Sequence, residues 1–151
     1  MAKFIYRMEN ILNLQTKLED EAKIQLTMAN NILRNEQQKL KRINKDIETY
    51  EDEIRGYSMS VLDVQELKRC NDAIAVKKME AEEQKKTIER AQKNADKAMH
   101  KVREAMLKRK TQEILKEKAF EEFKREVNEE EKKEIDQVVS YQYNGKIEEG
   151  D

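Results

Sequence analysis

The sequence predicts an all-α fold, an elongated antiparallel two-helix coiled-coil hairpin with a longer second helix and a disordered C-terminal tail. The chain of 151 residues has no proline and 42% charged residues, so little in it interrupts a helix. Apolar residues recur three and four positions apart from Ile5 to Tyr57, which is the seven-residue repeat of a coiled coil. A short segment at 56–62 separates this repeat from a second one, so the partner helix belongs to the same chain.

We predict helix one from about residue 3 to residue 55. Its seam keeps one heptad phase, and a stripe this narrow is buried only against another helix. Gly56 and the serines after it indicate a turn at 56–62, because glycine ends helices readily and serine caps the next helix. Three of the seam positions are polar (Gln15, Glu19 and Glu36). The others are Ile5, Met8, Leu12, Ala22, Leu26, Ala29, Leu33, Leu40, Ile43, Ile47, Tyr50, Ile54 and Tyr57.

We predict helix two from about residue 63 to residue 139, within a single domain at 1–140, and a disordered tail at 141–151. The seam of helix two is rich in alanine, which lets two helices approach closely, and a short turn joins antiparallel neighbours. Folding back near residue 60 pairs positions whose numbers add up to about 120, for example Met8 with Gln112. The seam positions are Leu67, Cys70, Ile74, Lys77, Ala81, Gln84, Ile88, Ala91, Ala95, Ala98, Val102 and Ala105.

Two groups of apolar residues lie outside the seams. The second seam loses its phase near Lys108–Lys110, so residues 118–137 are expected to extend beyond helix one without a partner. The strip there is either part of a solvated, charge-rich helix or a docking surface, and two phenylalanines favour docking. It consists of Phe120, Phe123, Val127 and Ile135. Helix one has a wider apolar face than a hairpin requires, formed by Phe4, Ile11, Leu14, Leu18, Met28 and Ile32.

Composition argues against catalysis, cofactors and metals. One cysteine and one histidine, Cys70 and His100, form no nucleophile pair and no metal-ligand spacing. Cys70 lies on a seam, where a small buried hydrophobe is expected. The chain has no glycine-rich phosphate loop, membrane-spanning run or secretory signal, so we expect a non-enzymatic, soluble, cytoplasmic protein.

The charge distribution favours protein partners over nucleic acid. Residues 61–110 have 14 basic and 9 acidic residues, a net charge of +5, whereas residues 111–151 have 7 and 13, a net charge of −6. Residues 61–110 contain a basic cluster, which we interpret as a solvated helix face, with an acidic protein groove or a phosphate backbone as the alternatives. No aromatic residues interleave the cluster, which argues against nucleic acid. The cluster consists of Lys97, Lys101, Arg103, Lys108, Arg109 and Lys110.

Several segments resemble the flagellar export protein family FliJ over residues 3–140. They are Phe4–Met8 with Leu12 and Leu14, Gln65–Leu67, Arg109–Thr111, Leu115–Phe120 and Glu131–Asp136. The resemblance implies a stalk-like component of the flagellar type III export apparatus, with roles in flagellum biogenesis, protein transport, motility and chemotaxis. It also implies three partners: the hexameric export ATPase, the cytoplasmic domain of the export gate and the export chaperones. The protein would associate with the inner-membrane apparatus peripherally, through these partners.

The terminal end of the hairpin is expected to enter or cap the ATPase ring through Phe4, Ile11, Leu14, Leu18, Phe120 and Phe123. The resemblance further places a contact with the export gate around Ile43, Tyr50 and Ile74. Two alternatives stay open. One is a homodimeric coiled-coil scaffold, and the other is a stalk or chaperone subunit of a virulence-type secretion system or another rotary ATPase.

Overall fold

The computed structural model describes residues 2–58 and 63–149, and in that part it consists of two α-helices and no strand. Helix α1 spans Glu9–Ser58 and helix α2 spans Val64–Glu149. At 86 residues, α2 is longer than α1, which has 50. The predicted all-α two-helix hairpin with a longer second helix is confirmed.

The ends of α1 differ from the prediction. The helix begins at Glu9 rather than near residue 3, and it continues through Gly56 to Ser58. Gly56 has no positive φ, and a Cβ built on it would meet nothing within 4 Å. Nothing therefore requires a glycine or a helix end at this position. The rest of the predicted turn, residues 59–62, lies outside the described residues.

Helix α2 begins where its sequence offers a cap. The Asp63 carboxylate accepts a hydrogen bond from the backbone N–H of Gln65 at 3.1 Å, and the Asp63 carbonyl accepts one from Leu67 at 3.1 Å. An acidic cap satisfies backbone donors that have no partner within the helix and interacts favourably with its N-terminal dipole. The observed start at Val64 lies next to the predicted one.

At its other end, α2 runs to Glu149, ten residues beyond the predicted boundary at 139. Gly145 lies inside the helix in open space, and the chain has no proline to stop it. All side chains described from Asn128 to Lys146 are exposed, so no tertiary packing supports this stretch. The predicted disorder of residues 141–151 concerns behaviour in solution and stays a prediction.

The contacts divide the chain into two units, each containing parts of both helices. The first, called here the 19–104 unit, has an antiparallel seam. Its register is marked by the hydrogen bond from Gln84 Nε2 to the Glu36 carbonyl, at 2.8 Å, and by the ion pair of Lys77 with Asp46, at 3.5 Å. The residue numbers of such pairs add up to about 120, as predicted for a fold near residue 60.

Burial in the 19–104 unit follows the predicted seams closely. All seam positions predicted between residues 19 and 104 are buried or half-buried. The seam residues of α2 are more deeply buried than those of α1, because they are small enough for the helix backbones to approach each other. Its buried members are Cys70, Ile74, Ala81, Ala91, Ala95 and Val102.

The second unit, called the terminal unit, comprises residues 2–18 and 105–149 of the described chain. Its buried apolar residues are Leu12 and Ala105. Ile5 and Met8, which were predicted to lie in the seam, are exposed. Residues 2–8 are not helical, so the heptad phase no longer decides which way their side chains point.

The predicted loss of phase in the second seam near Lys108–Lys110 is wrong. Half-buried positions continue along α2 in the terminal unit at spacings of three and four. They are Arg109, Gln112, Lys116, Ala119, Phe123 and Val127. The first three are polar, so a count of apolar residues could not detect a seam whose geometry continues.

Candidate functional site

The terminal unit contains an aromatic cluster formed across the sequence. The Phe4 ring lies 5.1 Å from that of Phe120 in an edge-to-face arrangement and 5.4 Å from that of Phe123. The Lys124 ammonium lies 4.6 Å from the centroid of the Phe120 ring. Edge-to-face pairs place the positive edge of one ring against the negative face of another. The expectation that residues 118–137 have no partner in the chain is therefore corrected for Phe120 and Phe123.

Polar contacts hold the segment that contributes Phe4. The Tyr6 hydroxyl donates a hydrogen bond to Gln112 Oε1 at 3.1 Å, and the Glu9 carboxylate pairs with Lys116 at 2.9 Å. The two α2 residues in these contacts, Gln112 and Lys116, lie in the part of the α2 seam where the residues are polar. Sequence reasoning missed these contacts, although two polar residues at seam spacing are a signal that could have revealed them.

An apolar stripe on α1 stays open to solvent in the terminal unit. Ile11, Leu14 and Leu18 are 38%, 52% and 42% exposed. They lie three and four positions apart and therefore share one face of the helix. Leu12 beside them is buried in the seam, so the stripe is not needed to hold α1 against α2. The structure thus leaves this part of the predicted surplus face accessible, whereas Phe4, which was assigned to the same face, is half-buried against Phe120 and Phe123.

The residues predicted to contact the export gate lie in the 19–104 unit and belong to its seam. Ile74 is buried, whereas Ile43 and Tyr50 are half-buried. A partner cannot reach Ile74 without separating the helices. Ile74 is a core residue, as its place on the seam predicts, and the contact of the surfaces around these three residues with the export gate stays a prediction.

A groove beside these residues offers accessible apolar surface. Ile43, Val76, Met79 and Thr87 line it, and Glu80 and Glu83 contribute carboxylates. Val76 and Met79 are more than half exposed. Their spacing of three places them on one helix face outside the predicted seam, a signal that sequence reasoning had overlooked.

The groups with potential reactivity lie elsewhere in the 19–104 unit. The Cys70 thiol is fully buried and donates a hydrogen bond to the Glu53 carboxylate at 3.4 Å. Burial, and then the Glu53 carboxylate, raise the pKa of this thiol. The His100 imidazole pairs with Glu104 at 3.0 Å along one helix face. Residues 2–58 and 63–149 contain no cluster of side chains suited to hold a metal ion.

The sequence model of the family described as Flagellar FliJ protein matches residues 4–148, nearly the whole chain. The chain belongs to the FliJ family. As a FliJ family member it is a component related to flagellar export. No curated protein matches this FliJ sequence, and no solved structure does. Neither described helix of this family member is long and apolar enough to cross a membrane.

Proposed function

We propose that this FliJ family member is a non-catalytic, stalk-like component of the export apparatus that binds the hexameric export ATPase through its terminal unit. The exposed stripe of Ile11, Leu14 and Leu18 carries the proposal. A helix already packed through its seam has no structural use for a second apolar face, and such a face fits an apolar groove on a partner. Phe120 and Phe123 lie on α2 of the same unit and extend this contact.

The stripe is tested by changing both of its leucines. Burying the exposed half of each side chain contributes about 1 kcal/mol, so the double variant Leu14→Ala/Leu18→Ala should bind the ATPase about thirtyfold more weakly. Isothermal titration calorimetry with the purified ATPase measures the affinity. Leu107→Ala is the matched control, because Leu107 is exposed in the same unit but lies on α2.

Circular dichroism should show the same helix content for all three proteins, since the changed leucines are exposed and alanine is as good a helix former as leucine. Equal affinity of the double variant and the wild type would refute the assignment. If only Leu107→Ala lost affinity for the ATPase, the ATPase would contact α2 and not the stripe on α1.

We further propose that the groove at Val76 and Met79 contacts the cytoplasmic domain of the export gate, in place of the buried Ile74. The expected partner surface presents apolar side chains flanked by basic groups, which would complement Glu80 and Glu83. The variant Val76→Ser/Met79→Ser should lose most of its capture by the gate domain in a pull-down assay. Met99→Ser changes an exposed methionine of the same unit outside this groove and should keep it.

The resemblance supports export chaperones as further partners and peripheral association with the inner-membrane apparatus. Co-sedimentation with membranes that contain the complete apparatus, compared with membranes that lack the export gate, measures that association. Equal binding to both membranes would contradict an attachment through the gate.

A further inference from the structure

The N-terminal segment before α1 lies on α2 instead of extending the first helix. Residues 2–8 are not helical, and Phe4 packs on Phe120 and Phe123. The segment therefore covers part of the apolar surface that α2 presents in the terminal unit. Its neighbour Ile5 is largely exposed and contributes little to that packing.

Few interactions hold this segment on α2, namely the aromatic contacts and the part-buried hydrogen bond from Tyr6 to Gln112. The ion pair between Glu9 and Lys116 adjoins it at the first residue of α1. The Tyr6 and Met8 carbonyls accept hydrogen bonds from the backbone N–H groups of Glu9 and Leu12, which connect the segment to α1 rather than to α2. The ion pair is partly exposed, so water screens it and it contributes little. Release of the segment removes its contacts with Gln112 and Phe123 but leaves the buried seam of α1, which begins at Leu12, in place. The segment can therefore open locally without unfolding the hairpin.

Release of the segment removes the Phe4 ring from Phe120, which is already 38% exposed, and from the half-buried Phe123. Leu12 and Phe4 line one groove together with Phe120. The stripe of Ile11, Leu14 and Leu18 belongs to the same unit. A partner that binds the stripe and also packs on Phe120 and Phe123 has to replace the Phe4 ring.

Resting on the proposed function, we propose that the N-terminal segment is an intramolecular cover that competes with the export ATPase for Phe120 and Phe123. The segment occupies these two residues in the free protein, and an apolar surface of the ATPase replaces it in the complex. The apparent dissociation constant is then the intrinsic constant divided by the fraction of molecules in which the segment is open. The sequence predicts that Phe4 contacts the ATPase. In this proposal Phe4 instead competes with the ATPase for Phe120 and Phe123.

The affinity of the ATPase for Phe4→Ala tests the proposal. Losing the ring contacts should shift most molecules to the open state, and the dissociation constant should fall about tenfold. The milder Tyr6→Phe, which removes only the hydrogen bond to Gln112, should give a smaller gain in the same direction. Ile5→Ala is the matched control and should bind as the wild type does.

The direction of the change separates a cover from a merely structural contact. If Phe4 only supports the terminal unit or touches the ATPase itself, Phe4→Ala binds equally or more weakly, and the proposal is overturned. Adding Phe120→Ala/Phe123→Ala to Phe4→Ala should abolish the gain, because the uncovered surface is then gone. A gain that survives these changes also overturns it.

A second measurement needs no ATPase and keeps the two proposals separable. The dye anilinonaphthalene sulfonate should fluoresce more strongly with Phe4→Ala than with Ile5→Ala, and the increase should vanish when Phe120 and Phe123 are also replaced. No increase overturns the cover. If the proposed ATPase contact of the stripe is wrong, a different result is expected: the Leu14→Ala/Leu18→Ala variant binds the ATPase with wild-type affinity.

Discussion

Ala95→Leu should destabilise the hairpin, because it places a large side chain where the two helices meet. Ala95 is only 4% exposed, and Ala91, one turn away, is also buried. The space here is small because the helices approach closely over alanines. Three added carbon atoms must force the backbones apart or adopt a poor rotamer, at a cost of about 1–3 kcal/mol. For a chain of this size that lowers Tm by about 2–12 °C.

Thermal unfolding followed by circular dichroism measures this change. The matched control is Ala75→Leu, an exposed position on the same helix in the same unit. Alanine and leucine have similar helix propensities, and exposed substitutions usually change stability by less than about 0.5 kcal/mol. Equal melting temperatures for the two variants would refute the close approach of the helices at Ala95.

Three further predictions follow from particular side chains. Gly56→Ala should raise the free energy of unfolding by about 0.5–1 kcal/mol in urea titrations, since Gly56 lies inside a helix with room for a Cβ; a decrease would contradict the helix there. Iodoacetamide should alkylate Cys70 far more slowly in the folded chain than in the urea-unfolded chain, because the thiol is buried and its pKa is raised; equal rates would show an accessible thiol. The hydrogen bond from Gln84 lowers the pKa of Glu36 below its usual value of 4.5. The ionised carboxylate therefore stabilises the fold above that pH. This contribution disappears as the pH falls through the lower pKa that Glu36 has in the folded state. Urea midpoints of Glu36→Gln should therefore fall less on acidification than those of the wild type, and an equal fall in both proteins would contradict this contribution.

Most of the hairpin could be predicted because its seams are continuous helices with a regular repeat. From Leu12 to Tyr57 and from Leu67 to Ala105, a spacing of three and four residues decides which side chains face the partner helix. The pairing of α1 residues with α2 residues follows from the position of the turn alone. Burial of Cys70 and exposure of Leu14 and Leu18 then follow from their place on or beside the seam.

The helix ends could not be derived from the same pattern. Gly56 indicates a helix end by its residue type, but glycine is only mildly unfavourable inside a helix that packs against another. Ile5 and Met8 fitted the heptad phase, yet the chain is not helical there and their side chains are exposed. Periodicity assigns faces only where a helix exists.

The sequence by itself determined the fold class, the antiparallel register and the accessible stripe on α1, because each depends on local helix geometry repeated along the chain. Only the tertiary structure decided that Phe4 covers Phe120 and Phe123, and that Gln112 and Lys116 continue the seam through polar contacts. These contacts join residues more than one hundred positions apart in the chain. Their formation depends on where a non-helical segment can lie, which no repeat in the sequence records.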